Sequence, residues 1–355
     1  MLLLSRMRIN HVTAGLAIAA GLLAIPQPSF GQGCEPIRFS SLSLGGQGES
    51  YQKAHQWRLT LGYRRLYTNE WYVGTEIRND SAPGGRSPIV SIHSLVAEVS
   101  YAVTDRLSLH LALPVSTGSG SRVYPDSVSH KQSATGIGDL SLLGNLWVLD
   151  PLSHPEGNIA FGLGVKAPTG SNHVSNQWYL PSGPVPFAAD PSIEPGDGGW
   201  GIILQTEAFR QVFRRGYAYL TGSYMFSPRA RTDVVARMPN SGQVWSVPDI
   251  YSARLGLAYS LLPAKGLTVS LGGRIDGLPV HDVFGGGDDA ARRPGYVIYA
   301  DPGIALTRGR DNFTLSLPLR LQANRQKSVL EQGGSSPAGG GFAKLLIFAG
   351  YSHRF

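Results

Sequence analysis

The chain has 355 residues, including 45 glycines, 24 prolines and one cysteine. Only 15% of its residues are charged, against about 25% in an average soluble domain. The single cysteine excludes a disulfide framework and a multi-cysteine zinc or iron–sulfur site. Although the formal net charge is +7, the basic residues are scattered along the chain, which argues against a nucleic-acid partner.

The N-terminus has the features of a secretory signal. Arg6 and Arg8 precede an apolar stretch that is too short to span a bilayer as a helix, which needs about 20 residues. Prolines end the stretch, and small residues near Gly31 suit a signal peptidase. We expect residues 1–31 to be a signal peptide, residues 32–55 a periplasmic N-terminal segment and residues 56–355 one β-barrel domain. Cys34 does not lie in a good lipid-attachment sequence.

The mature chain alternates apolar and polar residues with a period of two. In the clearest case, alternating leucines and valines run over 95–101 and 107–115, on either side of the polar turn at Asp105. Two such runs joined by a tight turn predict a β-hairpin. Each run has about ten residues, which is enough to cross a membrane as a tilted strand.

The same hairpin pattern recurs to the end of the chain. It predicts twelve strands, at 57–63, 95–101, 107–115, 140–148, 159–165, 202–208, 217–226, 251–261, 267–275, 298–306, 313–321 and 345–351. Short turns alternate with long segments rich in Gly, Pro, Ser, Asn and Asp, which are 67–88, 117–135, 168–198, 228–247, 277–293 and 324–341. Short periplasmic turns and long external loops are typical of outer-membrane barrels.

Hydrocarbon offers no partner to a backbone N–H group, so only helices or closed sheets can cross it. The pattern therefore predicts an all-β fold, a transmembrane antiparallel β-barrel of about twelve strands, placed in the lipid and lipopolysaccharide of the cell outer membrane. A soluble β-sandwich would also alternate. It would have strands of about five or six residues, with the apolar side chains facing inward.

The last strand ends on Phe355, which has the same parity as its apolar residues Leu345, Ile347 and Tyr351. A terminal aromatic residue on an alternating final strand resembles the signal that the barrel-assembly machinery of Gram-negative bacteria reads. We therefore expect that machinery to be a partner of the chain through Phe355.

Residues of opposite parity to the leucines would face the lumen. Six charged ones are the candidate solute-pathway residues, namely Glu98, Asp139, Lys166, Arg254, Arg274 and Arg320. Small inward residues would leave a narrow pore, and a basic excess would favour anions. Alternatively, these charges pair with one another across the lumen as a structural network.

Motifs for other chemistry are weak. The stretch from Gly162 to Ala167 fits a dinucleotide pattern, but a loop follows it where that pattern needs a helix. Ser108 and His110 share the inward face of one strand, without a known hydrolase signature. We therefore expect that the chain is not an enzyme and that it has no catalytic residue, no cofactor and no metal site. A barrel hydrolase acting on lipid or peptide stays an alternative.

Two stretches resemble a known family. They are 101–109, YAVTDRLSL, and 135–140, TGIGDL, which is followed by GLGVKAPTG at 162–170. They are similar to the outer-membrane transporters named after the phenol meta-cleavage degradation pathway. The resemblance implies an outer-membrane channel for passive uptake of small solutes, such as aromatic or hydrophobic compounds. A non-transporting structural or adhesive barrel is a further alternative.

Overall fold

The computed structural model describes residues 51–355 apart from 152, 230, 237, 238, 240, 286 and 334–337. The predicted signal peptide, Cys34 and most of the predicted periplasmic segment lie outside the described residues. Among the described residues, no helix is long and apolar enough to cross a membrane.

Twelve long strands form the main sheet, and the sequence predicted each of them. They are β1 Trp57–Thr68, β2 Ile89–Ala102, β3 Leu107–Val123, β4 Leu140–Trp147, β5 Gly157–Ala167, β6 Gly201–Phe213, β7 Gly216–Phe226, β8 Ile250–Leu262, β9 Leu267–Leu278, β10 Gly295–Arg308, β11 Asp311–Ser316 with its continuation Leu319–Arg325, and β12 Leu345–Arg354.

The remaining elements are short and belong to the connections. The strands among them are Tyr72–Val73, Glu76–Ile77, Ser129–Ile137, Ser175–Leu180, Gly183–Ala188, Arg231–Val235, Val244–Ser246 and Gly339–Gly340. One α-helical turn, Val329–Gln332, and three 3₁₀ turns, Asn79–Ser81, Pro83–Gly85 and Pro263–Lys265, complete the described elements.

Every strand is antiparallel to its neighbours, and β1 closes the sheet by pairing with both β2 and β12. Tyr63, for example, lies opposite Leu95 on one side and Ala349 on the other. The predicted closed barrel of twelve strands is confirmed. One predicted loop, 117–135, is instead largely strand, because β3 runs on to Val123 and pairs with Ser129–Ile137. That hairpin is mostly Ser, Thr and Gly, so it lacks the apolar alternation by which the other strands were predicted.

The alternating leucines by which the strands were predicted point away from the barrel interior. Leu95, Leu163, Leu255 and Leu271 are 59–63% exposed, whereas the alternate residues of the same strands are largely covered by protein. A soluble sandwich would bury these leucines between its sheets. The structure instead shows a continuous apolar outer belt, which is what a barrel needs to face lipid.

The barrel wall is interrupted at β11, where Leu317 and Pro318 break the strand. The part before the break pairs with both β10 and β12. Its continuation pairs with β10, and no ladder joins the continuation to β12 among the described residues. Gly74 of the first long loop instead forms a bridge with Arg325 at this edge.

Candidate functional site

The candidate site is the barrel interior together with a cavity at its long-loop end, which we call the mouth cavity. Five long connections meet there around a volume of about 80 Å³. Its apolar wall contains Trp71, Pro83, Pro88 and Val90, and its polar wall contains Arg122, Asp190 and Arg293.

Apolar side chains also fill much of the interior near this end. Buried members of this apolar cluster include Leu66, Tyr299, Phe342, Leu346 and Phe348. They come from three barrel strands and from the loop before β12. The interior near this end therefore presents apolar surface rather than a uniformly polar lining.

A charged layer crosses the interior on β8, β9 and β10. Arg254 donates from Nε to Asp301 at 2.7 Å, and Arg274 donates from Nε to Asp276, also at 2.7 Å. All four side chains are at most 4% exposed. Ser316 also donates a hydrogen bond to Asp301. Two of the six predicted pathway residues, Arg254 and Arg274, are therefore held in buried ion pairs.

Two glycines make room for an aromatic side chain in this layer. Gly256 and Gly272 lie opposite each other on β8 and β9. A Cβ atom at either position would come within 2.6–2.7 Å of the hydroxyl of Tyr219. The absence of side chains there lets the buried Tyr219 ring lie across the inside of the wall.

Lys166 and Asp139, two more predicted pathway residues, meet at the long-loop end. The fully buried Lys166 donates to Asp139 at 3.3 Å and also to Asp197 of the following loop. Asp139 accepts backbone N–H bonds from Gly170 and Asp197. Burial, followed by the charge of Asp197, raises the pKa of Asp139, although Lys166 opposes the shift. The three charged side chains therefore fasten the loop to the barrel rim.

Arg320 spans the interruption in the wall. It donates from Nη1 to the carbonyl oxygens of Phe342 and Ala343, at 3.3 and 3.2 Å, and it forms an ion pair with Glu70. Lys344 also bonds Glu70, at 2.8 Å. The Arg320 side chain thus bridges two segments of backbone that no strand ladder joins.

Glu70 is ionised at this position. Burial would raise the pKa of its carboxyl group, but the hydrogen bonds and charges of Lys344 and Arg320 outweigh burial, so the pKa lies below its usual value. Glu70 lies in a loop without alternation, and no local sequence signal marked it as the partner of Arg320.

Glu98 belongs to a hydrogen-bonded chain on β2 and β3. The Oγ of Ser108 lies 2.9 Å from Nε2 of His110, and Nδ1 of His110 lies 3.1 Å from Oε1 of Glu98. All three side chains face inward, and the side chain of Glu98 is 34% exposed. The sequence placed Ser108 beside His110, and the register of β2 against β3 brings the carboxylate to them.

The short-turn end of the interior is filled by the segment that precedes β1. The Tyr51 ring packs edge-on against Trp147 and Phe209, with centroid distances of 4.9 and 5.6 Å. Ser100 donates to the neighbouring Gln52 at 2.9 Å, and Arg58 donates to the Tyr51 carbonyl at 3.2 Å. The described end of the segment therefore lies against the interior of the barrel, where sequence reasoning had not placed it.

No group of three or more His, Cys, Asp or Glu side chains is arranged to hold a metal ion within the part of the chain that the structure describes. The interior therefore presents ion pairs, hydrogen-bonded polar chains and apolar packing.

Comparison with known proteins identifies shared folds. The COG4313 outer membrane channel from Pseudomonas putida F1 matches with a TM-score of 0.60 and 15% identity, over 88% of this chain and 100% of that chain. The β domain of the Bordetella autotransporter BrkA has a TM-score of 0.43, 13% identity and coverages of 86% and 100%. The Ralstonia pickettii toluene transporter TbuX has a TM-score of 0.41, 11% identity and coverages of 86% and 90%.

The first likeness shows that the fold is that of an outer-membrane β-barrel, and the other two are too distant to carry an argument. No protein-family model and no curated protein matches the sequence.

Proposed function

We propose that the chain is an outer-membrane channel for passive uptake of small aromatic or otherwise apolar solutes. The observation that carries this proposal is the mouth cavity with its apolar wall, which lies at the end of a closed barrel whose interior near that end is packed with apolar side chains. A general aqueous pore would have a polar, water-filled lumen. The fold shared with a protein described as an outer membrane channel supports the same conclusion.

In the membrane, the long loops would face the outside and the short turns the periplasm. The apolar belt would contact lipid and lipopolysaccharide, and the exposed Phe355 would be read by the barrel-assembly machinery. The motifs at 101–109 and 135–170 support membership of the transporter family named after the phenol meta-cleavage pathway. The domain boundaries at residues 31 and 55 are part of the same proposal.

The solute would diffuse along the interior past the six predicted pathway residues. Two obstacles must yield for this passage, namely the charged layer around Arg254 and Arg274 and the Tyr51 segment at the short-turn end. Because both are held by hydrogen bonds and close packing, passage would be slow and selective. No feature of the described residues suggests energy coupling, so the gradient would drive the flux.

Proteoliposome swelling tests this function. Swelling in isosmotic sodium benzoate and in arabinose is compared for the natural chain, Tyr51→Ala and the matched control Lys53→Ala, whose side chain is exposed in the same segment. We expect benzoate to enter faster than in protein-free liposomes, faster again with Tyr51→Ala and unchanged with Lys53→Ala. Equal entry of arabinose would indicate a general pore. No entry of either solute, even with Tyr51→Ala, would favour a structural or adhesive barrel.

The chain formed by Ser108, His110 and Glu98 favours a second candidate function, ester hydrolysis. A serine, a histidine base and an orienting carboxylate within hydrogen-bonding reach form the arrangement of a serine hydrolase. The folded protein would then react with a fluorophosphonate probe. Ser108→Ala should abolish labelling, whereas Ser100→Ala, at a neighbouring inward serine that bonds Gln52, should retain it. If the folded protein is never labelled, hydrolysis is refuted and the three residues have a structural role.

A further inference from the structure

We infer that the mouth cavity is a binding site for a single-ring aromatic carboxylate, held by Arg122 against the apolar wall. This inference rests on the proposed uptake function and names the class of solute that the entrance selects. The cavity is open on one side and measures about 80 Å³. That is about half of the roughly 150 Å³ of an enclosed cavity that holds benzene, so a single ring would fill the cavity and extend into its open mouth.

The apolar wall supplies the surface for the ring. Trp71, Pro83, Pro88 and Val90 line one part of the cavity, and the ring of Tyr124 adds a further aromatic face. Small-molecule sites usually combine such an apolar lining with a few polar groups that fix the ligand's orientation. Here three of the polar lining residues, Arg122, Asp190 and Arg293, are charged, so the site prefers a ligand of one charge sign.

Two of the three charged residues neutralise each other. Arg293 binds Asp190 with two hydrogen bonds, at 2.7 and 2.6 Å, and Ser192 donates to the same carboxylate at 2.7 Å. Burial would raise the pKa of Asp190, but the charge and hydrogen bonds of Arg293, together with the charge of the nearby Arg122 and the hydrogen bond of Ser192, outweigh burial and hold the pKa well below its usual value. The carboxylate is therefore ionised at neutral pH, and it offsets the charge of Arg293.

Arg122 supplies the remaining positive charge. Its guanidinium carbon lies 4.9 Å from the ring centroid of Tyr124 and 4.4 Å from that of Trp178. Aromatic faces attract a cation but carry no net charge, so they hold the guanidinium in place without neutralising it. A planar guanidinium binds a carboxylate through two parallel hydrogen bonds. The lining charges thus sum to one positive charge, beside a wall that suits a ring.

Other anions fit less well. A long acyl chain would leave most of its length outside the cavity, and a phosphate or sulfate would leave the apolar wall exposed to water. A neutral ring would bury the same apolar surface without pairing with Arg122. Benzoate is therefore the smallest probe that contacts the apolar wall and pairs with Arg122 at the same time.

Calorimetric titration in lipid nanodiscs tests the inference with benzoate and toluene. Arg122→Gln should weaken benzoate binding about tenfold or more, since it removes the charge-assisted hydrogen bonds to the carboxylate, and it should leave toluene binding unchanged. Arg86→Gln, at an exposed arginine of the first loop, is the matched control and should bind like the natural chain. Trp71→Ala should weaken both aromatic ligands, and it keeps the test available if Arg122→Gln fails to fold.

Benzoate that binds no more tightly than toluene, or that binds Arg122→Gln and the natural chain equally, would overturn the inference. Swelling assays separate this failure from failure of the channel itself. If benzoate enters proteoliposomes but does not bind at the mouth cavity, the site is refuted and the uptake function stands. If benzoate neither binds nor enters, both proposals fail.

Discussion

The apolar outer belt can be tested by placing the same charge at two depths. Leu163 lies near the middle of β5 and is 63% exposed, whereas Leu261 is the penultimate residue of β8 and is 47% exposed. Because so much of Leu163 lies outside the protein, Leu163→Arg removes little packing. Its cost is the transfer of a charge into hydrocarbon, about 2–4 kcal/mol at the midplane and 0–1 kcal/mol near the interface.

These costs predict that Leu163→Arg lowers the folding equilibrium constant in lipid vesicles by roughly 30- to 900-fold, since each 1.36 kcal/mol is a factor of ten. Leu261→Arg should change it by less than about tenfold. Urea titrations measure the folding equilibrium constants of both variants, with the folded fraction followed by the gel mobility of unboiled samples. Equal effects at the two positions, or a natural chain that folds as a water-soluble monomer without lipid or detergent, would refute the lipid-facing assignment.

Three further predictions concern the ion pairs. Asp301→Asn leaves Arg254 buried beside a neutral partner and should destabilise the barrel by about 3–5 kcal/mol in the same titrations, whereas the double variant Arg254→Met, Asp301→Leu should recover most of the loss. Lys166→Met should likewise leave Asp139 and Asp197 without their cation, and limited proteolysis should then cut the loop after β5 sooner than in the natural chain. Since the pKa of Glu70 is lowered in the folded chain, its contribution to stability is fully present above the pKa of the unfolded chain and is lost as pH falls through the folded pKa. Thermal melts should therefore show a loss of stability in acid that Glu70→Gln reduces. An acid profile that Glu70→Gln leaves unchanged would contradict the pairing with Arg320 and Lys344.

The local pattern of the sequence was enough to predict the barrel. Successive side chains of a strand point to opposite faces, so the period of two assigns each residue to a face without knowledge of the rest of the fold. The number of strands and the outward face of Leu95 or Leu271 follow from that assignment, as does the inward face of Arg254. Where the alternation is polar on both faces, as in Ser129–Ile137, the same reasoning missed a strand.

The partner of each inward charge depended on the tertiary structure. Arg254 and Asp301 are 47 positions apart in the sequence. They meet because their strands, β8 and β10, are the two neighbours of β9 in the sheet. Glu70 reaches Arg320 across 250 positions, because closing the barrel brings β1 beside β12. The sequence states which face a side chain takes, but only the register and closure of the sheet determine which distant side chain shares that space. The mouth cavity and the position of Tyr51 inside the barrel were therefore visible only in the folded chain.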